Sequence, residues 1–357
     1  MAKSIYEIFE SQAIASYWTN VNANMDDAYI GAQFFPVAKQ TGLELAWIKG
    51  RKNLPVALQP SAFDTKATLR DRIGVSELST EMPFFREAMR IGEKDRQDIE
   101  TLLAKGIKFA EPTINRIFDD LYNLIEGGRV QAERMRMQLL STGAISIAAT
   151  AETGRDVAYE YNFDADGEFA ANNIVTLAGD DKWSAHATST PIEDLLDAKQ
   201  VMAEKGVIVT RVLLNSKTLK DMLASDSIAK AMNPVGHANA FASATQRKAF
   251  VEQETGLTFI TYDKMYKNEQ GNDVKFYPDG VVTLLPNYAL GNTWYGTTPE
   301  EFDLMSGSEV PVSVVDTGIA VTTIKEAHPV NVQTIVSEIV LPSFERMDDV
   351  YIMKVNV

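Results

Sequence analysis

From residue 114 to residue 139 the apolar positions recur with a helical period. Ile114, Ile117, Phe118, Leu121, Leu124 and Ile125 stand at i, i+3, i+4, i+7, i+10 and i+11. The stripe continues through Gly128, Ala132, Met135 and Leu139, while Asp119, Asp120, Arg129, Glu133 and Arg136 fall mostly off it. That is the spacing of one helix face. It predicts a helix over 113–140, about 40 Å long at about 1.5 Å per residue. Pro112 suits its first turn, and Ser141-Thr142-Gly143 can end it. Gly127-Gly128 marks a place where the helix bends or another backbone comes close.

Other stretches alternate with period two. In "GLELAWIKG" Leu43, Leu45 and Trp47 share a side. In "TKATLRDRIGV" Ala67, Leu69, Ile73 and Val75 oppose Lys66, Thr68, Arg70 and Arg72. Both predict half-exposed strands. Between them "KGRKNLPVALQPSAFD" holds two prolines and the cluster Lys49, Arg51 and Lys52. One reading is an ordinary hairpin with a solvated tip. The other is a protruding arm that needs a partner surface, because a lone two-stranded hairpin is marginal in water.

Residues 1–40 read as an arm. A short amphipathic helix is expected around 4–18, followed by an Asn/Asp-rich stretch broken by Gly31 and Pro36. Residues 144–180 read as strands around a tight turn at Asp166-Gly167. Thr190-Pro191-Ile192-Glu193 has capping-box spacing, and Gly206 closes the helix it opens. "VIVTRVLLN" (207–215) is a buried-type strand, and "SKTLKDMLASDSIAKAMN" is a helix capped by Ser216. The alternation predicts a compact α/β lobe at 191–310 and a β-rich end. No internal repeat stands out.

Composition narrows the class. A chain of 357 residues calls for two or more lobes at roughly 100–200 residues per domain. With 34 Lys plus Arg against 49 Asp plus Glu, the net charge is −15. So acidic a chain repels phosphate backbones, and sequence-specific nucleic-acid binding is a poor expectation. There is no cysteine, which excludes disulfides, thiolate metal sites and thiol nucleophiles. "MAKSIYEIFESQAIASYW" does not read as a secretory signal. No run approaches about 20 apolar residues, so no membrane span is expected.

Candidate chemistry is sparse. His186, His237 and His328 are scattered in unrelated patterns, and a zinc site is not expected. No phosphate-binding glycine loop or nucleophile elbow appears. Asn162, Asp164, Asp166 and Gly167 imitate the start of a calcium loop, but Asn173 stands where the bidentate glutamate belongs and the flanks read as strands. A turn at Asp166-Gly167 accounts for them. Acidic pairs (Asp26-Asp27, Asp119-Asp120, Asp180-Asp181, Asp348-Asp349) are as expected by chance from so many acids. No catalytic, cofactor or metal residue is assigned, and a structural or assembly role is favoured.

The segment order then resembles a known family. An arm, a protruding basic-edged hairpin, a long helix, a β-rich region, an inserted α/β lobe and a terminal β-stretch follow as in the major capsid proteins of tailed bacteriophages. Those share the Hong Kong 97-type α+β fold, and the similarity is to the lambda-type branch. "ERMRMQLLSTGAISI", "KWSAHATSTPIEDLLDAKQVM", "NTWYGTTPEEFDLM" and "VSEIVLPSFERMDDVYIMKV" resemble stretches of that branch. The resemblance covers nearly the whole chain.

It implies an N-terminal arm at 1–45 and an extended β-hairpin loop at 46–85. A peripheral β-rich domain would take 86–190 and 311–345, with the helix 113–140 as its spine. An axial α/β domain would take 191–310, with 346–357 returning to it. The loop would lie over a neighbouring subunit, which makes Trp47, Lys49, Arg51, Lys52, Arg70 and Arg72 candidate intersubunit contacts. The resemblance implies a major capsid protein, not an enzyme. It would assemble into hexamers and pentamers of an icosahedral shell around double-stranded DNA, with no sequence-specific binding and no membrane. A separate scaffolding protein, a portal and a decoration protein would be partners. The location would be the virion, with assembly in the host cytoplasm. Some relatives cross-link lysine to asparagine; Lys49, Lys52, Lys66, Asn331 and Asn356 are present, but decoration is expected instead. Two other readings stay open: a nanocompartment shell around an enzyme cargo, and an acid/base hydrolase with two opposed carboxylates in a cleft.

Overall fold

The computed structural model describes residues 5–22, 29–49, 76–150, 156–233, 242–304, 311–327 and 330–357. The chain begins with helices α1 (Ile5–Ile8) and α2 (Ser11–Asn22), then strands β1 (Val37–Lys39), β2 (Glu44–Lys49), β3 (Ser76–Glu81) and β4 (Phe84–Ile91). Helices α3 (Glu93–Lys105) and α4 (Ile107–Thr142) follow, then β5 (Ala144–Thr150), β6 (Asp156–Asn162), α5 (Glu168–Asn173) and β7 (Ile174–Thr176). Next come α6 (Pro191–Glu204), β8 (Val209–Leu214), α7 (Ser216–Leu223), α8 (Asp226–Met232), α9 (Ala244–Thr255) and β9 (Thr258–Thr261). The rest is strand: β10 (Met265–Lys267), β11 (Asp273–Lys275), β12 (Val281–Pro286), β13 (Thr293–Tyr295), β14 (Val312–Val315), β15 (Ile319–Ala327), β16 (Val330–Pro342) and β17 (Tyr351–Lys354).

Two compact units divide these elements. The first comprises Met1–Leu45, Ser79–Arg136 and Asn292–Ser343; the second comprises Ala46–Leu78, Met137–Gly291 and Phe344–Val357.

In the first unit β16 is the central strand. It pairs antiparallel with β15 and with β4, and its last three residues pair with β13, which carries β1 in parallel. β14 closes the sheet beside β15. The apolar stripe of α4 (Leu121, Leu124, Ile125) packs with Val315, Ile319, Val321, Val332 and Val336 from these strands and with Phe9, Ile14 and Trp18 from the N-terminal segment. Phe34 and Phe35 are also fully buried. Phe9, Ile14, Trp18, Phe34 and Phe35 thus supply core to this unit, although the composition of 1–40 reads as an arm. The expected single helix at 4–18 is two, interrupted at Phe9-Glu10.

The second unit is built on a mixed sheet in the order β7-β17-β12-β8-β9. β12 is buried at every position, as befits a central strand. Leu195, Ala198 and Met202 of α6, Met222 of α7, Ile228 of α8 and Val251 of α9 cover it. The last strand, β17, lies between β12 and β7.

Several expectations need correcting. The long helix runs Ile107–Thr142, 36 residues, or about 54 Å at about 1.5 Å per residue. Pro112 therefore lies inside it, two residues past the first turn, where it leaves the Lys108 carbonyl without its helical donor. The stop at Gly143 is as expected: its φ is +79° and its N–H donates to the Leu139 carbonyl at 3.0 Å. Asp166-Gly167 is not a hairpin turn. β6 has ended at Asn162 and α5 begins at Glu168, and Asp164 accepts the N–H groups of Phe169 and Ala170 at 2.9 and 2.8 Å. Thr190 makes no side-chain cap, although Pro191 does open α6. Asn215, not Ser216, caps α7, accepting from Thr218 N–H at 2.9 Å. The helix expected over 216–233 is two, because Ser225 starts α8 afresh. β2 forms as expected and pairs with β3; the strand expected at "TKATLRDRIGV" lies outside the described residues.

Candidate functional site

Two cavities lie within the second unit. One of about 450 Å³ lies between α7 and α9, lined by Leu219, Leu223 and Arg247 among others, with no carboxylate on its wall. Another, of about 340 Å³, is lined by Glu160 and Asp164 among others, and Asp164 is spent capping α5. The acids that burial pushes above their ordinary pKa, Glu338 and Asp194, line neither cavity. Among the described residues no group of three or more ligand-type side chains could hold a metal, and no helix is long and apolar enough to cross a membrane. His186 is exposed, 3.9 Å from Asp221; His237 and His328 lie outside the described residues.

In the first unit several polar residues are buried and bonded to one another. Glu133 and Arg136, read as lying off the apolar stripe of α4, are 0% and 4% exposed. Off the stripe is not out in water here, because the N-terminal segment covers that flank of the helix. Glu133 Oε1 accepts the N–H of Gly31 at 3.0 Å, and its Oε2 lies 3.3 Å from Arg136 Nη1. Arg136 Nε donates to Thr293 Oγ1 at 2.8 Å, and that hydroxyl donates to the Phe35 carbonyl at 2.9 Å. Gly31 is required for space: a Cβ there would stand 2.3 Å from Glu133 Oε2 and 2.7 Å from Arg136 Cδ. One turn earlier on α4, Arg129 reaches Asn22 at 3.0 Å and Asp316 at 3.5 Å, and lies over the rings of Trp18 and Tyr29. Tyr29 in turn donates to Glu126 at 2.8 Å, and burial with that carboxylate raises its pKa. This node ties the N-terminal segment, α4 and β13 together with charge-assisted bonds, the strong kind.

The C-terminal stretches that carried the resemblance have matching roles. Glu300 is bound by Arg86 and accepts from Ser337 Oγ at 2.9 Å, so the "TPEEF" turn is pinned to β4 and β16. Glu301 pairs with Lys39 of β1. In the second unit Trp183 is fully buried, and its indole N–H donates to Asp194 of the Pro-Ile-Glu-Asp helix at 2.8 Å. Asn356 accepts from Ser184 N–H and donates to Asp221.

Of the six contact candidates, Trp47 and Lys49 lie on β2, and Arg51, Lys52, Arg70 and Arg72 lie outside the described residues. Sequence reasoning missed Glu133, Arg136, Glu300 and Glu338. A signal existed for Glu338: one acid inside the apolar run "VSEIVLP".

The first unit is thus a largely antiparallel sheet carrying a long helix and a buried polar node, and the second a mixed sheet covered by helices. The model of the family "Phage major capsid protein E" matches residues 10–355, and the chain belongs to that family. A structure described as a prophage capsid protein of Escherichia coli CFT073 is similar at 12% identity, with 97% of this chain and 99% of that one covered and a TM-score of 0.58. A phage-related protein from Bordetella bronchiseptica RB50 is similar at 14% identity, 97% of both chains and a TM-score of 0.53. The cyanophage A-1(L) capsid asymmetric unit is similar at 11% identity, 91% of both chains and a TM-score of 0.50. Among curated protein sequences none matches. The α+β fold is thus the Hong Kong 97-type capsid fold, and the protein is a shell-forming phage capsid protein of the virion.

Proposed function

We propose that the chain builds hexameric and pentameric capsomers of an icosahedral shell that encloses the double-stranded DNA of a tailed phage, and that it has no catalytic activity. Family membership across 10–355 carries this reading. Residues 86–190 and 311–345 would serve as the peripheral domain with α4 as its spine, and 191–310, with 346–357 returning to it, as the axial domain at the capsomer centre. The β2–β3 ribbon and the residues between its strands would lie over a neighbouring copy. Trp47, Lys49, Arg51, Lys52, Arg70 and Arg72 would contact it, with Arg70 and Arg72 facing acidic surface, a form of charge complementarity that orients subunits. The net charge of −15 supports an inner wall that does not hold phosphate backbones. Assembly in the host cytoplasm would use a separate scaffolding protein, a portal and a decoration protein.

Electron microscopy of the expressed chain, with and without the neighbouring late genes, tests this. Closed icosahedral shells or six-fold rings are expected, with DNA inside when the packaging genes are present. A monodisperse monomer under every condition refutes the reading. Shells filled with a protein cargo would instead favour a nanocompartment.

A further inference from the structure

The carboxyl group of Glu338 has no counterpart in the node beside it. It is 2% exposed, and neither of its oxygens has a hydrogen-bond partner. It comes from β16 and faces α4 at Gly128, where a Cβ would lie 2.9 Å from its Oε2 and 3.1 Å from Ile319 Cδ1. Gly128 thus lets the sheet's carboxyl come close to the helix, in a contact a Cβ would obstruct. The charged and titratable groups that face Glu338 are few. α4 supplies Arg136; the β14–β15 turn supplies Asp316; β13 supplies Tyr295. β4 sets Phe85 opposite it in register, and β15 contributes Ile319, neither of them charged. Arg136 is engaged by Glu133 and Thr293, and Asp316 adds like charge. A buried carboxylate with no donor is among the costliest groups in a protein, and it neutralises instead.

We propose that Glu338 is a proton-held latch between β16 and α4: it carries a proton while the helix lies on the sheet at Gly128 and releases it when the helix lifts and water enters. Burial raises its pKa well above the ordinary glutamate value, as the latch requires. The sign follows. The packed state binds the proton more tightly than the open state, so packing is fully favoured below the ordinary glutamate range. It weakens as pH rises toward the packed-state value, by up to about tenfold in the opening constant per pH unit. Gly127-Gly128 is where α4 has least resistance to lifting. In a shell, which rests on the reading above, every copy would carry the same proton.

The test is amide hydrogen exchange at α4 residues around Gly128 in the full-length, unassembled chain, corrected for intrinsic exchange, at pH 5 to 8. The wild-type opening constant should rise by up to about tenfold per pH unit, and Glu338→Gln and Glu338→Leu should be flat. Equal slopes in wild type and variants, or no slope in wild type, overturn the latch. If neither variant folds, infrared spectroscopy of glutamate-selectively ¹³C-labelled wild type at neutral pH decides. A protonated carboxyl band that disappears on unfolding is expected, and its absence overturns the proposal. The label separates it from Asp194. Because subunits are measured singly, failure of the shell reading does not affect the outcome.

Discussion

Gly31→Ala isolates what the buried node contributes. The glycine is there for space, so the strain is calculable from distances. The new Cβ would lie 2.3 Å from Glu133 Oε2 and 2.7 Å from Arg136 Cδ, against a contact distance of about 3.5 Å. Glu133 must therefore withdraw by about 1 Å. Its bond from Gly31 N–H, at 3.0 Å, and its pairing with Arg136, at 3.3 Å, then both stretch beyond bonding range. Overpacking of this kind costs about 1–3 kcal/mol. A lost hydrogen bond to a charged group costs about 1.5–3 kcal/mol. The two share one cause and do not add fully, which leaves about 3–4 kcal/mol. Urea denaturation of unassembled subunits, followed by tryptophan fluorescence, should show this as a lower midpoint at unchanged slope. The same substitution made in a Glu133→Ala background should cost about 1 kcal/mol, because the obstructing carboxylate is gone and only overpacking against Arg136 remains. A cost below about 0.5 kcal/mol, or an equal cost in both backgrounds, would refute the reasoning.

Three further outcomes can be measured. Pro112→Ala should stabilise the chain by about 1–3 kcal/mol, since an N–H at position 112 restores a donor for the Lys108 carbonyl inside α4; thermal unfolding would show a higher Tm. Trp183→Phe keeps most of the buried ring but removes the indole donor to Asp194, and should cost about 1.5–3 kcal/mol by denaturant titration. Asp279 resists protonation: burial pushes its pKa up, but bonds from Lys275, Lys217 and Asn215 outweigh that and leave it lowered. Its contribution is present above the ordinary aspartate pKa and is lost as pH falls through the lowered value, so Asp279→Asn should flatten the acid limb of the stability–pH curve.

Sequence alone determined what local periodicity and local stereochemistry control. The stripe from Ile114 to Leu139 required α4, because only a helix brings residues three and four apart onto one face. Gly143 ended it, because its φ of +79° suits glycine. The buried strand β8 was legible as an apolar run, and the order of segments was enough to point to a capsid family. Tertiary structure decided which polar residues matter. Glu133 lies on the flank of the apolar stripe of α4 and Arg136, four residues after Ala132, at its edge, and the segment around Gly31 and Phe35, about 100 residues earlier in the chain, covers them. Glu338 faces a helix glycine 210 residues before it in the numbering, a pairing no local pattern encodes. The cap of α7 fell to Asn215 instead of Ser216 because Asp279, from a distant turn, accepts its amide and fixes its orientation. Periodicity reports which face of an element is apolar. Which further face is covered, and by what, depends on chain segments far away in sequence, and only the folded arrangement brings them together.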